Sequence, residues 1–177
     1  MKSHAAYANL AAALLSITAA VPASAALAVG ADAPQFSAPG TQGDAAALVN
    51  LKDLLQKGPV VVFFFPSVSA GGSSEECRDF ANIMGDFHAT GASVIGASRD
   101  PIDALASFST KECSGQFPII FADLDLVTGF DVNDNANFTT RTTYVISRDG
   151  KIAFVHDDDD YRGHAQAALA FLQTTKH

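Results

Sequence analysis

Val60 to Phe65 is an unbroken apolar run of β-branched and aromatic residues between Pro59 and Pro66. A run of that length with no polar position predicts a central strand buried on both faces. Downstream the period changes. Ser73, Cys77, Phe80, Met84 and Phe87 recur at i, i+4, i+7, i+11 and i+14, the stripe of one amphipathic helix. Gly91-Ala92 closes that helix, and Ser93 to Ser98 reads as the next strand. Asp100 as N-cap and Pro101 at the first helical position open a second helix, which runs to about Cys113 and stops at Ser114-Gly115. Phe117 to Ala122 predicts a third strand and Leu124 to Phe130 a short helix. Thr142 to Ser147 and Ile152 to His156 flank Arg148-Asp149-Gly150-Lys151, a strong hairpin signal, and Gly163 to Gln173 forms a closing helix. Upstream, Val29 to Phe36 is extended, and Val49 to Gln56 reads as a short helix with Asn50 as its N-cap. From Val60 onward the order β-α-β-α-β-α-β-β-α predicts an α/β fold, a central mixed sheet flanked by helices.

The N-terminus follows a different rule. Lys2 and His4 make a weakly basic start, Leu10 to Val21 is apolar, and Ala23-Ser24-Ala25 fits a small-x-small cleavage site. Residues 1–25 therefore read as a signal peptide, and residues 26–177 as one domain of an exported protein, periplasmic or secreted. Lys2 is the only charged residue of the first segment, so 10 basic and 19 acidic residues remain, a net charge of −9. That balance offers no basic patch and disfavours nucleic acid and anionic membrane as partners. Two cysteines are too few for a disulfide scaffold or a cysteine-only metal site, and no cofactor is expected.

Chemistry concentrates where the apolar strand meets the helix, at Pro66-Ser67-Val68-Ser69-Ala70-Gly71-Gly72-Ser73-Ser74-Glu75-Glu76-Cys77. A loop of small residues feeding a helix N-terminus aims free N–H groups at whatever sits there. The segment resembles the active-site loop of peroxiredoxins, whose pattern is Pro-x-x-x-Thr-x-x-Cys. Gly30-Ala31-Asp32-Ala33-Pro34-Gln35-Phe36, Val60 to Pro66, Gly91 to Ser98 and Arg141-Thr142-Thr143-Tyr144-Val145-Ile146 resemble four further family segments. The match is closest to the bacterioferritin-comigratory, or Q-type, branch of the AhpC/TSA peroxiredoxins. The resemblance implies a thioredoxin-like fold, reduction of hydrogen peroxide or organic hydroperoxides, a thioredoxin-like reductant, and a monomer or dimer. By position it implies Pro66 as the shield of the site, Glu76 as the residue orienting a cation, and Arg141 as that cation. It puts Ala70 where the family has Thr and Ser73 where it has the peroxidatic Cys. A serine cannot form a sulfenic acid, and as a nucleophile it needs a general base. The standard reaction is therefore closed at Ser73, and a non-enzymatic binding or chaperone protein is the alternative to a peroxidase.

Both cysteines carry more than one reading. Cys113 sits where one Q-type group has its resolving thiol, and it equally suits a buried small apolar residue. Cys77, one turn beyond Ser73, is a displaced peroxidatic thiol, a member of the core stripe, or half of a Cys77–Cys113 disulfide. The disulfide requires a Cα separation under about 7 Å. The acidic run Asp157 to Asp160, flanked by His156 and His164, suggests either a cation site or a solvated turn, with the turn favoured because hard-cation loops space their ligands.

Overall fold

The computed structural model describes residues 26–134 and 137–175, so the expected signal peptide lies outside the described residues. Seven strands form one mixed sheet: β1 (Ser37–Gln42), β2 (Ala45–Asn50), β3 (Val60–Phe64), β4 (Ser93–Ser98), β5 (Ile119–Phe121), β6 (Thr142–Ile146) and β7 (Ile152–Asp157), in the order β2-β1-β5-β4-β3-β6-β7. Among the described residues six helices accompany them: α1 (Leu51–Leu55), α2 (Ser73–Asn82), α3 (Met84–Ala89), α4 (Ile102–Glu112), α5 (Leu124–Gly129) and α6 (His164–Thr174). β3 lies in the interior of the sheet next to the middle strand β4, parallel to β4 and antiparallel to β6.

The apolar run does what its composition predicts. Val60, Val62 and Phe64 point into one core with Leu51, Leu126, Val127 and Tyr144. Val61, Phe63 and Phe65 point into the other with Phe80, Phe87, Leu105 and Leu169. Successive side chains alternate across the sheet, so a strand covered on both sides favours apolar residues at every position. The rings interlock on the second face. Phe63 stacks on Phe80 with centroids 4.2 Å apart and meets Phe117 edge-on at 5.6 Å.

One segment without a sequence expectation and two local expectations yield to tertiary demands. The segment before α1 forms the β1–β2 hairpin, although Ala38-Pro39-Gly40 is poor strand sequence. Gly40 is required there, because a Cβ would stand 2.4 Å from the Ile119 carbonyl oxygen of β5. The helix carrying the apolar stripe is broken at Ile83 (φ −112°, ψ 17°) into α2 and α3, yet Phe80, Met84 and Phe87 stay on the buried side. Asp100 does not cap α4, whose N-cap is Pro101. Its carboxylate instead accepts hydrogen bonds from Val68 N (2.8 Å), Ser98 Oγ (2.6 Å) and Ser67 Oγ (3.1 Å), better donors than an open helix end in water.

Phe63→Ala should lower unfolding stability by about 3–5 kcal/mol, because it empties a stacked, fully buried ring site. Leu48→Ala, 76% exposed on edge strand β2, should stay within about 0.5 kcal/mol, as read by urea unfolding.

Candidate active site

The strand–loop–helix junction is built as the sequence implies, with Pro66 half-buried just after β3 and Ser73 as the first residue of α2. The N-cap is Gly72, in the left-handed region (φ 85°) and without a side chain to cap the helix. A Cβ at Gly72 would lie 2.5 Å from Cδ1 of Tyr161, so only glycine lets that ring lie against the start of the helix. The Ser73 amide donates to Ala70 O at 3.2 Å, but the Ser73 hydroxyl is 1% exposed and has no hydrogen-bond partner. With no described side chain within hydrogen-bond reach, Ser73 lacks the base that a serine nucleophile needs.

Behind Ser73 sits a buried polar cluster. Arg141, immediately before β6, is 3% exposed and spends all three guanidinium nitrogens. Its Nε donates to Asp159 O at 3.0 Å, Nη2 to Gly71 O at 2.9 Å, and Nη1 pairs with Glu76 Oε2. Glu76, fully buried on α2, keeps Oε1 free of any hydrogen bond. Burial pushes its carboxyl up to about 8, against the opposing pull of the Arg141 charge and hydrogen bond. Breaking such a pair by removing one partner costs about 3–5 kcal/mol, because it strands a buried charge.

His164 completes the cluster, its Nδ1 3.7 Å from Glu76 Oε1. Burial holds the imidazole down to about 4. A neutral ring satisfies both contacts if Nε2–H donates to Asp158 O (3.0 Å) and Nδ1 accepts from Thr143 Oγ1 (2.9 Å). The sequence reading missed this role and saw His164 only as a flank of the acidic run. That run makes a turn: Asp157 accepts from Thr142 Oγ1, Asp160 pairs with Arg162, and the Asp158 and Asp159 carbonyls serve His164 and Arg141. Among the described residues no cluster of acidic, histidine or cysteine side chains could hold a metal ion.

The cysteines are joined to each other. Cys77 and Cys113 form a disulfide with Cα atoms 5.2 Å apart, inside the 7 Å limit, and both are fully buried. Neither is a free thiol, so the readings of Cys77 as a free displaced thiol and of Cys113 as a free resolving thiol do not describe this state. The surroundings of the bond are apolar, shared with Phe63, Phe80, Met84 and Phe117, where a thiolate is disfavoured. Its sequence separation of 36 residues corresponds to about 4 kcal/mol of stabilisation in the chain-entropy model. Beside the junction a cavity of about 260 Å³ opens, lined by Val68 and Ser74 on one side and by Ala104, Phe108 and Lys111 of α4 on the other.

The chain is similar in sequence and fold to known proteins. A family model described as the AhpC/TSA family matches residues 29–155. Peroxiredoxin Bcp of Escherichia coli is 29% identical over 148 residues, covering 80% of this chain and 92% of its own. The crystal structure of peroxidoxin BcpB from Mycobacterium tuberculosis superposes with a TM-score of 0.75 at 27% identity, covering 84% of this chain and 98% of that one. The bacterioferritin comigratory protein of Xanthomonas campestris, solved as trapped intermediate/ligand complexes bearing on its alkyl peroxide reduction activity, gives a TM-score of 0.67 at 27% identity over 77% of this chain and 90% of its own.

The two titrating groups of the cluster make opposite contributions to stability. His164 is depressed from 6.5 to about 4, so its contribution is complete above pH 6.5 and lost as pH falls toward 4. Glu76 is raised from 4.5 to about 8, so its contribution is complete below pH 4.5 and lost as pH rises toward 8. In denaturant titrations, the stability of the wild type relative to His164→Asn should grow from pH 4 to 6.5 and then level off. Relative to Glu76→Gln it should shrink from pH 4.5 to 8.

Proposed function

The chain belongs to the AhpC/TSA family of peroxiredoxins, and from that premise we propose that it is a peroxiredoxin-type protein whose peroxide chemistry is closed at residue 73. Ser73 takes the peroxidatic position, and the protein keeps the surrounding pocket to bind hydroperoxides without turning them over there. The observation that carries this reading is the Ser73 hydroxyl itself: buried at the N-terminus of α2, without a base, and lacking a sulfur to oxidise. Pro66, Glu76 and Arg141 retain the framework of the site, and Ala70 withdraws the hydroxyl that would help hold a peroxide. No thiol substitutes for the missing one, because each cysteine is consumed by the other.

One observation favours a second reading, peroxidase turnover through the cysteine pair with a thioredoxin-like reductant. The two Cα atoms already stand 5.2 Å apart. In that route a hydroperoxide oxidises the Cys77 thiol to a sulfenic acid and leaves as the alcohol. Cys113 then attacks the Cys77 sulfur, water departs, and the dithiol reductant regenerates both thiols. The apolar burial of Cys77 weighs against it.

We propose further that the chain is exported. Leu10 to Val21 followed by Ala23-Ser24-Ala25 supports this, and an oxidising compartment is where a Cys77–Cys113 disulfide persists.

Peroxide consumption with dithiothreitol distinguishes the two routes. The wild type and Cys77→Ser should consume no more peroxide than the buffer, and Ser73→Cys should gain activity. Its sulfenic acid would be reduced by dithiothreitol directly. Wild-type turnover that disappears in Cys77→Ser would establish the second route, and inactivity of Ser73→Cys would overturn the assignment of residue 73. For export, the mass of the protein recovered from the host's extracytoplasmic fraction should begin at Ala26; a full-length chain retained in the cytoplasm contradicts it.

A further inference from the structure

We propose that the outer edge of β2 is a pairing site for a second copy of this chain, the two β2 strands joining antiparallel across a twofold axis at Leu48. β2 ends the sheet order β2-β1-β5-β4-β3-β6-β7, and among the described residues it pairs only with β1. This edge is remote from β3, whose C-terminal end feeds the Ser73 junction, and the association does not involve residue 73.

The edge is open and undefended. Gly43-Asp44 is a two-residue turn, so the flanking pair Gln42–Ala45 exchanges both backbone hydrogen bonds. Alternation along the ladder gives the same role to Gly40–Ala47 and Ala38–Val49, and the Leu51 amide donating to Phe36 O at 3.1 Å keeps that parity. Ala46 and Leu48 therefore turn their N–H and C=O groups outward, and Asn50 turns its N–H the same way. Natural edge strands are guarded by charges, proline or a covering segment. β7, at the other end of the sheet, has such guards: Ile152 is hydrogen-bonded to Gly30 and Ala31 of the N-terminal segment, and the strand ends in His156-Asp157. β2, Ala45-Ala46-Ala47-Leu48-Val49-Asn50, has neither charge nor proline. Leu48, at 76%, is the most exposed large apolar side chain among the described residues. Val49 packs into the core from the opposite face, which fixes the rotation of the strand.

The strand's own sequence suits a second copy. Antiparallel pairing centred on Leu48 sets that residue opposite the partner subunit's Leu48, and Ala46 opposite the partner subunit's Asn50. Leu48 N–H then donates to the partner's Leu48 O, and Asn50 N–H to the partner's Ala46 O, each in both directions. The same register brings Asp44, in the turn before β2, toward the partner's Lys52, at the start of α1. Both residues are available for this. Lys52 has no ion-pair partner among the described residues, and the Asp44 carboxylate accepts only from the Thr110 hydroxyl at 2.8 Å. Opposite charges thus meet at both rims and leucines meet at the axis, the self-complementarity that a twofold interface requires. Centring the pairing on Ala47 would instead set Asp44 against the partner's Asn50 and forfeit the charge match. In a protein whose overall charge is strongly negative, this uncharged strand with a cation at one end is where two copies can approach.

The test is sedimentation equilibrium on the full chain over a concentration series. The wild type should dimerise reversibly with a Kd below about 1 mM, the strength of a small edge interface. Leu48→Lys puts two ammonium groups at the axis and should raise that Kd by about tenfold or more. Its urea midpoint should stay at the wild-type value, because the side chain is already exposed. Lys52→Asp, which faces the partner's Asp44 with a like charge, should raise the Kd about fivefold. Combining Asp44→Lys with Lys52→Asp exchanges the two charges and should return the Kd to within about twofold of wild type. A chain that stays monomeric throughout, a dimer indifferent to Leu48→Lys, or a charge exchange that associates no better than Lys52→Asp alone would each overturn the proposal.

Discussion

The buried guanidinium of Arg141 is the constraint around which the site is assembled. A permanent charge removed from water must find its compensation close by, and here it comes from three separate places. The Glu76 carboxyl group arrives on α2, the Gly71 carbonyl from the loop that starts α2, and the Asp159 carbonyl from the turn after β7. Satisfying one side chain therefore fixes the relative positions of a strand, a helix start and two loops. His164 extends the cluster, drawing in Thr143 of β6 and Asp158 of the same turn. The acidic run serves this arrangement less through its charges than through its carbonyl oxygens, two of which point inward.

What this framework surrounds is the hydroxyl of Ser73 at the start of α2. A peroxiredoxin fold presents a helix N-terminus and a cation to an oxidisable sulfur, and in this chain the first-turn position holds an oxygen. The two sulfurs that do exist are one turn further on and in α4, bonded to each other within an aromatic core. Their bond stabilises the fold by restricting the unfolded chain, whereas a thiolate in the same place would lack charged or polar support. The Ser73 hydroxyl at that position is buried without a hydrogen-bond partner.

The parts of the molecule that the sequence reveals are those whose causes are local. The β3 run, the stripe of Phe80, Met84 and Phe87, the Asp-Gly turn between β6 and β7 and the cap at Asn50 each follow from neighbouring residues, and each is present. The Asn50 side chain accepts from Asp53 N at 3.2 Å, as an N-cap should. The site framework of Pro66, Ser73, Glu76 and Arg141 was legible through family resemblance, because its motif lies on contiguous segments. The β1–β2 hairpin was not, although Gly43-Asp44 is a two-residue turn signal, because Pro39 and Gly40 contradict strand propensity. Gly40 is chosen by the backbone of β5, which is distant in sequence.

By itself, then, the sequence determined the α/β class, the strand buried on both faces and the family, all properties of residue identity and short-range period. Only the tertiary structure decided that Asp100 ties down the loop instead of capping α4, that His164 stands neutral beside Glu76, and that Cys77 and Cys113 are partners. Each of these depends on which groups meet across distances of tens of residues. A buried carboxylate, imidazole or thiol takes its protonation or bonding state from whatever packs against it, and a linear pattern does not record those neighbours.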